Sequence, residues 1–458
     1  VIVMQAFRYA LDVTPSQERR LLRHAGAARA AYNWGLAHVR ANLAQREAER
    51  TYGLPEDALT PATSWSMYAL RKEWNKAKHR VAPWWAECSK EAYASGLTQL
   101  AAALANWSRS RHGDRAGRRV EFPRFKAKRR AVPSVRFTTG AIRLEDGRHH
   151  VTLPVVGTLR THESTRKLHR RIAAGTGRIL SATVRRETGR WFVSFTCEVD
   201  RAVRVPARPA AIIGVDLGVK KLAVFSDDRP DVENTRRLKK SARRLRIASR
   251  RASRRQGPDR RAGRAPSARW RRADASRARL HRRTAFQRKD AIHKLTTSLA
   301  REYGVIVIED LNVAGMLRNR RLSAALSDAA FGEIRRQLAY KTAWNGGRLI
   351  IADRWYPSSK TCSACGVVKP KLPLHIRTFT CDSCGLVLDR DRNAALNLAA
   401  LAKHVIAGSG PEMENGRGAA VRPGRAGQVA EKRQSRTGRR RIRRESSPDN
   451  GRIADIEK

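Results

Sequence analysis

The chain has 458 residues, and its 95 lysines and arginines against 41 aspartates and glutamates give a formal net charge of +54. Self-repulsion on this scale calls for a polyanionic partner, and nucleic acid is the first candidate. Hydrophobic residues make up 41% of the chain, which excludes a disordered polycation. No apolar run approaches the roughly 20 residues of a membrane-spanning helix, so we expect no membrane partner. The chain begins with alternating polar and apolar residues rather than a secretion signal, and we therefore expect a cytoplasmic protein.

The first half of the chain predicts a helical block inserted into a β domain. Residues 2–13 alternate like a half-buried strand, and Thr14, Pro15 and Gln17 then form a helix start with a capping box. A helix-rich stretch continues to about residue 112. Further strand signals follow at residues 134–138, 149–153, 179–185 and 191–199. These strands predict a small antiparallel sheet or barrel, and the first strand needs such a sheet to join.

A segment that interleaves aromatic and basic residues lies between the helical block and these strands. Its sequence is FPRFKAKRR, residues 122–130. Such a segment can stack on bases and contact phosphates, and the competing interpretation is an ordinary solvated basic loop. The candidate nucleic-acid-binding residues are Arg124, Lys126, Lys128, Arg129 and Arg130.

The second half of the chain alternates apolar strands with helices, which is typical of an α/β domain. It follows a linker at residues 205–209 and contains a segment, residues 231–290, with 23 basic and 5 acidic residues. The predicted strands are at residues 211–215, 222–225, 305–308 and 349–352, and the predicted helices are at 236–255, 269–289 with a continuation to 303, and 331–345. The basic side chains of this segment repel one another, so we expect phosphates nearby to compensate their charge.

Two cysteine pairs near the end of this domain predict a metal site. They occur in CSAC and CDSC, are separated by fifteen residues, and consist of Cys362, Cys365, Cys381 and Cys384. This spacing brings four thiolates within reach of one Zn²⁺ ion, and Gly366 and Gly385 suit the tight turn after each pair. Four protein ligands leave no open position, so the expected zinc is structural. Four unrelated buried cysteines are the alternative.

Three carboxylates form a second candidate site. Asp216 and Glu309 end apolar strands, and Asp391 lies at the start of an Ala/Leu-rich helix, where Asp389 competes with it. Acids at strand ends can converge in an α/β sheet, and two or three of them can hold a pair of Mg²⁺ ions about 3.5–4 Å apart. For each acid alone, a surface turn residue or a helix N-cap is the alternative.

At this point the sequence resembles the TnpB family, the OrfB-type proteins of bacterial insertion sequences, which are related to type V CRISPR effector nucleases. The runs that carry the resemblance are GVDLGVKKLAVFSDD, IVIEDLNVAGMLRNRRL, DRWYPSSKTCSACG and CDSCGLVLDRDRNAALNLAALA. The resemblance covers about residues 4–405 and includes YALDVTPSQERRLLRHAGAARAAYNWGLA and FPRFKAKRR. The family pattern places its acid two residues before the Asn of Asn-Ala-Ala, which favours Asp391 over Asp389. Because Val1, Ile2 and Val3 precede Met4, the sequence leaves the position of the true start codon open.

The resemblance implies an RNA-guided DNA endonuclease that acts in the bacterial cytoplasm, at the nucleoid. It implies a multidomain α/β protein with β-barrel and helical parts, in which an RNase H-like (RuvC) nuclease domain contains an inserted zinc ribbon. The matching catalytic and magnesium-binding residues are Asp216, Glu309 and Asp391. A guide RNA from the transposon end would direct cleavage of double-stranded DNA beside a short flanking motif, in support of transposon maintenance.

The domain boundaries that follow combine the resemblance with the composition. They are a wedge-like β-barrel of residues 1–13 and 126–205, a helical recognition domain of 14–125, a nuclease domain of 207–354 and 389–405, a zinc-binding target-nucleic-acid module of 355–388, and a disordered basic tail of 406–458. The tail lacks aromatic residues and cannot bury enough surface to offset its ordering entropy.

Two other functions compete with the nuclease. One is a guided DNA-binding regulator that has lost its nuclease, but such proteins lose one or more of the acids, and all three positions are acidic here. The other is an accessory transposase protein of the element. A transposase that performs strand transfer itself would need a tyrosine nucleophile with a metal-binding histidine pair or a different acidic triad, and the sequence offers no such pair.

Overall fold

The computed structural model describes residues 1–115, 117–128, 130–138, 141–259, 262–373 and 375–407. Arg129 and nearly all of the predicted disordered tail lie outside these ranges. Contacts divide the chain into two compact units, one with residues 1–204 and 240–289, the other with residues 205–239 and those from 290 onward. Within the described ranges, none of the helices combines the length and the apolar character that crossing a bilayer requires.

The first 204 residues form an antiparallel sheet with a helical block after its first strand. The elements are β1 (Ile2–Asp12), α1 (Pro15–Thr51), α2 (Met67–Val81), a 3₁₀ helix (Trp85–Glu87), α3 (Lys90–Arg111), β2 (Ser134–Phe137), β3 (Arg143–Leu144), β4 (His150–Leu153), β5 (Gly157–Thr161), α4 (Arg166–Ala173), β6 (Gly177–Glu187) and β7 (Arg190–Asp200). The strand order is β2-β6-β7-β1-β5-β4-β3. Among the described residues this is the order of an open sheet, so closure into a barrel stays a prediction.

The first strand and helix confirm two expectations. Strand β1 pairs with β7 from Ile2 opposite Asp200 to Leu11 opposite Trp191, so the helical block does interrupt a β structure. The Thr14 hydroxyl accepts a hydrogen bond from the Gln17 backbone N–H at 3.3 Å, and the Gln17 side chain accepts one from the Thr14 N–H at 3.0 Å. This reciprocal pair is the predicted capping box, and it satisfies two helix-end donors.

The remaining elements begin at Arg208. They are β8 (Arg208–Asp216), β9 (Lys221–Phe225), β10 (Val232–Glu233), α5 (Arg237–Ser253), α6 (Ala268–Glu302), β11 (Tyr303–Glu309), α7 (Val313–Met316), α8 (Ser323–Ala329), α9 (Phe331–Trp344), β12 (Arg348–Ala352), β13 (Thr378–Thr380), β14 (Val387–Asp389) and α10 (Arg390–Ala407). The predicted strands and helices of this half are confirmed, with ends shifted by a few residues.

A five-stranded sheet of order β10-β9-β8-β11-β12 organises the second unit. Strands β8, β11 and β12 run parallel, and β9 pairs antiparallel with β8. Ile306 and Ile308 of β11 belong to one apolar cluster with α9, while Val307 between them belongs to another with Leu398 of α10. Helices therefore cover both faces of the sheet, which explains why consecutive residues in the middle of its parallel strands are apolar.

Candidate functional site

Two of the predicted carboxylates end neighbouring parallel strands. Asp216 is the last residue of β8, and Glu309 is the last residue of β11. Val215 and Ile308 are partners in the parallel register, so the residues that follow them lie side by side. Neighbouring strands are about 4.8 Å apart. The structure therefore brings these two acids together at the carboxyl edge of the sheet, where α/β proteins commonly bind ligands.

The third carboxylate comes from the first turn of α10, which packs closely against β8. Gly214 makes this approach possible, because a Cβ atom there would lie only 2.0 Å from the Ala395 carbonyl oxygen and 2.7 Å from the Ala399 nitrogen. With no side chain in the way, the start of α10 and its Asp391 lie near the end of β8. Gly214, the first glycine of the run GVDLG, thus permits the close helix packing that brings Asp391 toward the site.

Burial and the neighbouring negative charges both act on the carboxylate of Asp216. Asp216 is half-buried, and its pKa is raised well above the ordinary value, first by loss of hydration and then by the charges of Glu309 and Asp391. Arg390 offsets part of this effect. The three carboxylates do not have oxygens that all lie within 4.8 Å of one another. An all-oxygen group whose negative charge nearby arginines offset only in part suits a hard cation such as Mg²⁺.

The backbone distinguishes Asp391 from its competitor Asp389. The Asp389 carboxylate accepts hydrogen bonds from the backbone N–H groups of Asp391, at 2.9 Å, and Arg392, at 3.1 Å. Asp389 is therefore the N-cap of α10. The Asp391 carboxylate instead forms an ion pair with Arg377, at 3.6 Å between Oδ1 and Nη1. Its oxygens do not cap the helix.

The acids at the end of β11 also differ in their partners. Asp310 forms ion pairs with Arg335 and with Arg354, whose Nη2 is 2.6 Å from the Asp310 Oδ2. Glu309 accepts a hydrogen bond from the hydroxyl of Ser358 instead. Two guanidinium groups thus compensate the charge of Asp310. The charge of Glu309 remains a part of the group around Asp216.

The four predicted cysteines form a compact cluster. Their Sγ atoms all lie within 4.8 Å of one another, and the Sγ atoms are 3.6 Å apart both between Cys362 and Cys384 and between Cys365 and Cys381. Tetrahedral zinc with Zn–S bonds of about 2.3 Å has sulfurs about 3.8 Å apart. The cluster could therefore hold a metal ion with little rearrangement.

Tight turns aim the backbone at these sulfurs. Gly366 and Gly385 follow the two cysteine pairs with φ values of +78° and +71°, in the left-handed region that glycine adopts without strain. The backbone N–H groups of Cys384 and Ser383 lower the pKa of the Cys381 thiol to about 6. These donors thus favour the thiolate of Cys381, which is the form that binds metal. The predicted role of the two glycines fits the observed turns.

Three further polar residues lie between the two candidate sites and were not identified from the sequence. Ser358, Asn393 and Asn397 are 3%, 0% and 4% exposed, respectively. The asparagines lie on one face of α10, four residues apart, in an otherwise Ala- and Leu-rich sequence. Two polar residues at helical spacing inside an apolar helix were the available signal, because buried amides need partners.

The predicted nucleic-acid-binding segment contains one partly buried lysine and several exposed basic residues. The Lys126 ammonium lies 3.8 Å from the centre of the Tyr32 ring and 2.6 Å from the Gln99 Oε1, and burial lowers its pKa to about 8. Arg124 is exposed but forms an ion pair with Glu121. Lys128 and Arg130 are also exposed. The ammonium of Lys126 is therefore engaged in packing within the first unit.

Three family models match parts of this chain. A "Helix-turn-helix domain" of the OrfB_IS605 type matches residues 3–48, an OrfB_IS605 "Probable transposase" model matches residues 194–320, and a "Cas12f1-like, TNB domain" matches residues 331–398. The first match falls on β1 and the single uninterrupted helix α1. The last match contains both cysteine pairs and Asp391.

The chain is also similar to named proteins along most of its length. A Mycobacterium tuberculosis protein (strain CDC 1551 / Oshkosh) named "Putative RNA-guided DNA endonuclease" is 40% identical over 450 residues, which cover 93% of this chain and 92% of that protein. A Streptomyces pristinaespiralis protein of the same description is 34% identical, with 87% and 89% covered. InsQ of Escherichia coli K12, which is described in the same words, is 30% identical, with 90% and 96% covered.

Proposed function

This chain belongs to the TnpB family of OrfB-type insertion-sequence proteins, and we propose that it is an RNA-guided, metal-dependent DNA endonuclease. The observation that carries the proposal is the group of Asp216, Glu309 and Asp391 at the carboxyl edge of a sheet. Burial, and after it the charges of Glu309 and Asp391, raise the pKa of Asp216, and a bound cation would relieve the repulsion. The open sheet of mixed strand direction, covered by helices on both faces, supports the RNase H-like (RuvC) fold that we propose for residues 207–354 and 389–405.

The proposed reaction is the hydrolysis of a phosphodiester bond. A different structural element holds each of the three carboxylates. The strand ends hold Asp216 and Glu309, and α10 holds Asp391 while Asp389 caps the helix. Two bound Mg²⁺ ions would supply water activation and positive charge for the leaving oxygen. Asp216, Glu309 and Asp391 would hold the cations, and their combined negative charge would favour cation binding.

The four cysteines are proposed to hold a structural Zn²⁺ ion in a target-nucleic-acid-binding module of residues 355–388. Their number and their spacing support this role, because four sulfur ligands complete a tetrahedral site. A small apolar core of Phe379, Leu372 and Leu386 packs beside Cys362 and Cys381. So small a core gives little stability alone, and metal binding would contribute much of the folding free energy of the module.

The proposed partners are a guide RNA from the transposon end and double-stranded target DNA beside a short flanking motif. The net charge of +54, of which +18 falls in residues 231–290, supports two polyanionic partners. The names of the relatives support RNA and DNA as the two partners. We place the protein in the bacterial cytoplasm, at the nucleoid, where cleavage would support maintenance of the transposon.

The test is to purify the chain with its bound RNA and to sequence that RNA. We expect a defined RNA species, and we expect the complex to cut DNA that matches the guide portion. Asp216→Ala should abolish cleavage and retain RNA, whereas Asp290→Ala, the same substitution on the exposed surface of α6, should cut normally. A protein that binds no defined RNA, with Asp216→Ala as active as the wild type, would refute the proposal.

A further inference from the structure

The segment between β12 and the first cysteine pair contacts the carboxylate site. Ser358 lies in this segment, is 3% exposed, and donates its hydroxyl hydrogen bond to the Glu309 Oε1. Four residues later the chain reaches Cys362, which is 1% exposed within the cysteine cluster. A short stretch of backbone thus leads from a group that contacts Glu309 to a predicted zinc ligand.

Helix α10 holds this segment through two buried asparagines. The Asn397 side-chain amide donates to the carbonyl oxygens of Ser358 and Thr361, each at 2.7 Å. The Asn393 amide donates to the same Thr361 oxygen at 2.7 Å, and its Oδ1 accepts from the Ser363 backbone N–H at 3.0 Å. Because unpaired buried amides are costly, these four bonds fix the path of the segment along the helix.

The same helix carries Asp391 two residues before Asn393. One rigid element therefore presents a candidate metal ligand and holds the segment that contacts another ligand, Glu309. The Tyr356 hydroxyl strengthens the connection by donating to the Asn397 carbonyl oxygen at 3.1 Å. We call Ser358, Asn393 and Asn397 the clamp.

We propose that Ser358 is a positioning residue for Glu309 and that Asn393 and Asn397 make its position depend on the first cysteine pair. The proposal rests on the proposed function, in which Glu309 binds Mg²⁺. A hydroxyl that donates to one oxygen of a carboxylate restricts rotation of that carboxylate and orients it toward the metal. Groups that orient metal ligands in this way typically contribute 10–100-fold to metal affinity or activity.

The first experiment compares Ser358→Ala with the wild type. Isothermal titration calorimetry with MgCl₂ alone should show that Ser358→Ala binds Mg²⁺ about tenfold more weakly than the wild type. Guided cleavage by this variant should need a correspondingly higher Mg²⁺ concentration. Zinc content and target binding should stay unchanged. Ser298→Ala, at an exposed position of α6, is the matched control and should bind Mg²⁺ like the wild type. Ser358→Thr, which keeps the hydroxyl, should recover most of the affinity.

A double-mutant cycle separates positioning from a general effect on stability. If Ser358 acts through Glu309, adding Ser358→Ala to Glu309→Gln should weaken Mg²⁺ binding less than about twofold further. A full tenfold loss in both backgrounds would overturn the proposal, and so would equal Mg²⁺ affinity of Ser358→Ala and the wild type.

The asparagine half of the clamp has its own variant. Asn397→Asp keeps the size of the side chain and removes the amide donor, so it should weaken Mg²⁺ binding as Ser358→Ala does while the protein stays folded and retains zinc. Unchanged Mg²⁺ affinity in this variant would overturn the link to α10. Failure of the wild type to cut guided DNA would refute the proposed function but leave the calorimetric comparison valid.

Discussion

The carboxylate site and the cysteine cluster lie in the same compact unit but are assembled differently. The four sulfurs all lie within 4.8 Å of one another, as a metal would require, whereas the three carboxylates do not. Four thiols of which one favours the thiolate repel one another little, but three ionised carboxylates repel strongly; after loss of hydration, this repulsion raises the pKa of Asp216. A structural cluster can therefore be nearly complete before metal binds, whereas a catalytic group stays open for metal, water and substrate.

The supports of the two sites differ as well. Each cysteine pair is shaped by a local turn that ends in a left-handed glycine, Gly366 or Gly385. The carboxylates come from positions 216, 309 and 391 and meet only because the sheet forms and α10 packs on Gly214. The cluster thus depends on local sequence, and the carboxylate site depends on the whole fold of the unit.

The largest expected effect tests the division of roles between two neighbouring aspartates. Asp391→Asn should lower guided cleavage by more than about 10³-fold, or about 4 kcal/mol in activation free energy, because it removes a charged metal ligand. Asp389→Asn should change cleavage less than about tenfold, because Asn caps helices about as well as Asp. Cleavage rates of both variants with the same guide provide the measurement. Equal losses would remove the distinction between the capping and the catalytic acid.

The next largest effect tests whether the carboxylate site depends on the cysteine cluster while the cluster does not depend on the carboxylates. Cys365→Ser should reduce bound zinc from one ion per chain to almost none, because a serine hydroxyl is not deprotonated like a thiol. The module should then unfold locally, and cleavage should fall about 10–100-fold through loss of the clamp.

Zinc content by atomic spectroscopy and protease sensitivity of residues 363–388 measure this effect. Ser383→Ala, in the second cysteine pair, is the control and should retain zinc. Asp391→Asn should also retain one zinc ion per chain, because the cysteine cluster is expected not to need the carboxylates. Full zinc content in Cys365→Ser would contradict the assignment of the cluster.

A smaller effect concerns stability without magnesium. The raised pKa of Asp216 means that the folded state holds this proton more tightly than the unfolded state does. The contribution of Asp216 to stability is therefore present at low pH and is lost as pH rises through the folded-state pKa. Asp216→Asn mimics the protonated form, so it should melt at a higher temperature than the wild type at pH 7 in magnesium-free buffer.

The pH profile gives that comparison its control. The difference in melting temperature between Asp216→Asn and the wild type should shrink as pH falls below 3.8, the ordinary pKa of Asp, because the wild-type carboxyl then becomes protonated in both the folded and the unfolded state. Added MgCl₂ should also reduce the difference at pH 7 by stabilising the wild type alone. A less stable Asp216→Asn protein at pH 7 without magnesium would contradict the repulsion argument.

Local patterns in the sequence predicted the parts of the molecule that depend on local structure. The cysteine spacing, the Thr14 capping box and the acids at strand ends follow from short-range rules, and the structure has them. Strand β5 and helix α4 were missed, because β5 buries only Leu159 and the polar Thr161 and α4 buries only Leu168. A period cannot be recognised from so few buried positions.

Long-range contacts decide what the sequence leaves open. The resemblance already favours Asp391 over Asp389, and the capping bonds of Asp389 supply a physical reason. The clamp, in contrast, required residues 358–363 to pack along α10. Chain continuity likewise assigns residues 240–289 to the predicted domain 207–354, whereas contacts group them with residues 1–204. One such contact joins the rings of Phe192 and Phe286, 6.3 Å apart.

The smallest expected effect concerns residues 122–130, where one lysine is held by its neighbours and another is exposed. Lys128 is exposed, whereas the Lys126 ammonium is held by Tyr32 and Gln99. If Lys128 contacts one phosphate, Lys128→Ala should weaken RNA binding and reduce the slope of log affinity against log salt by about 0.7 for a single strand. Lys126→Ala should leave that slope unchanged and lower the melting temperature instead, because it loses packing rather than a phosphate contact. Binding of a labelled RNA at several salt concentrations measures both slopes, and equal reductions would show that Lys126 also reaches a phosphate.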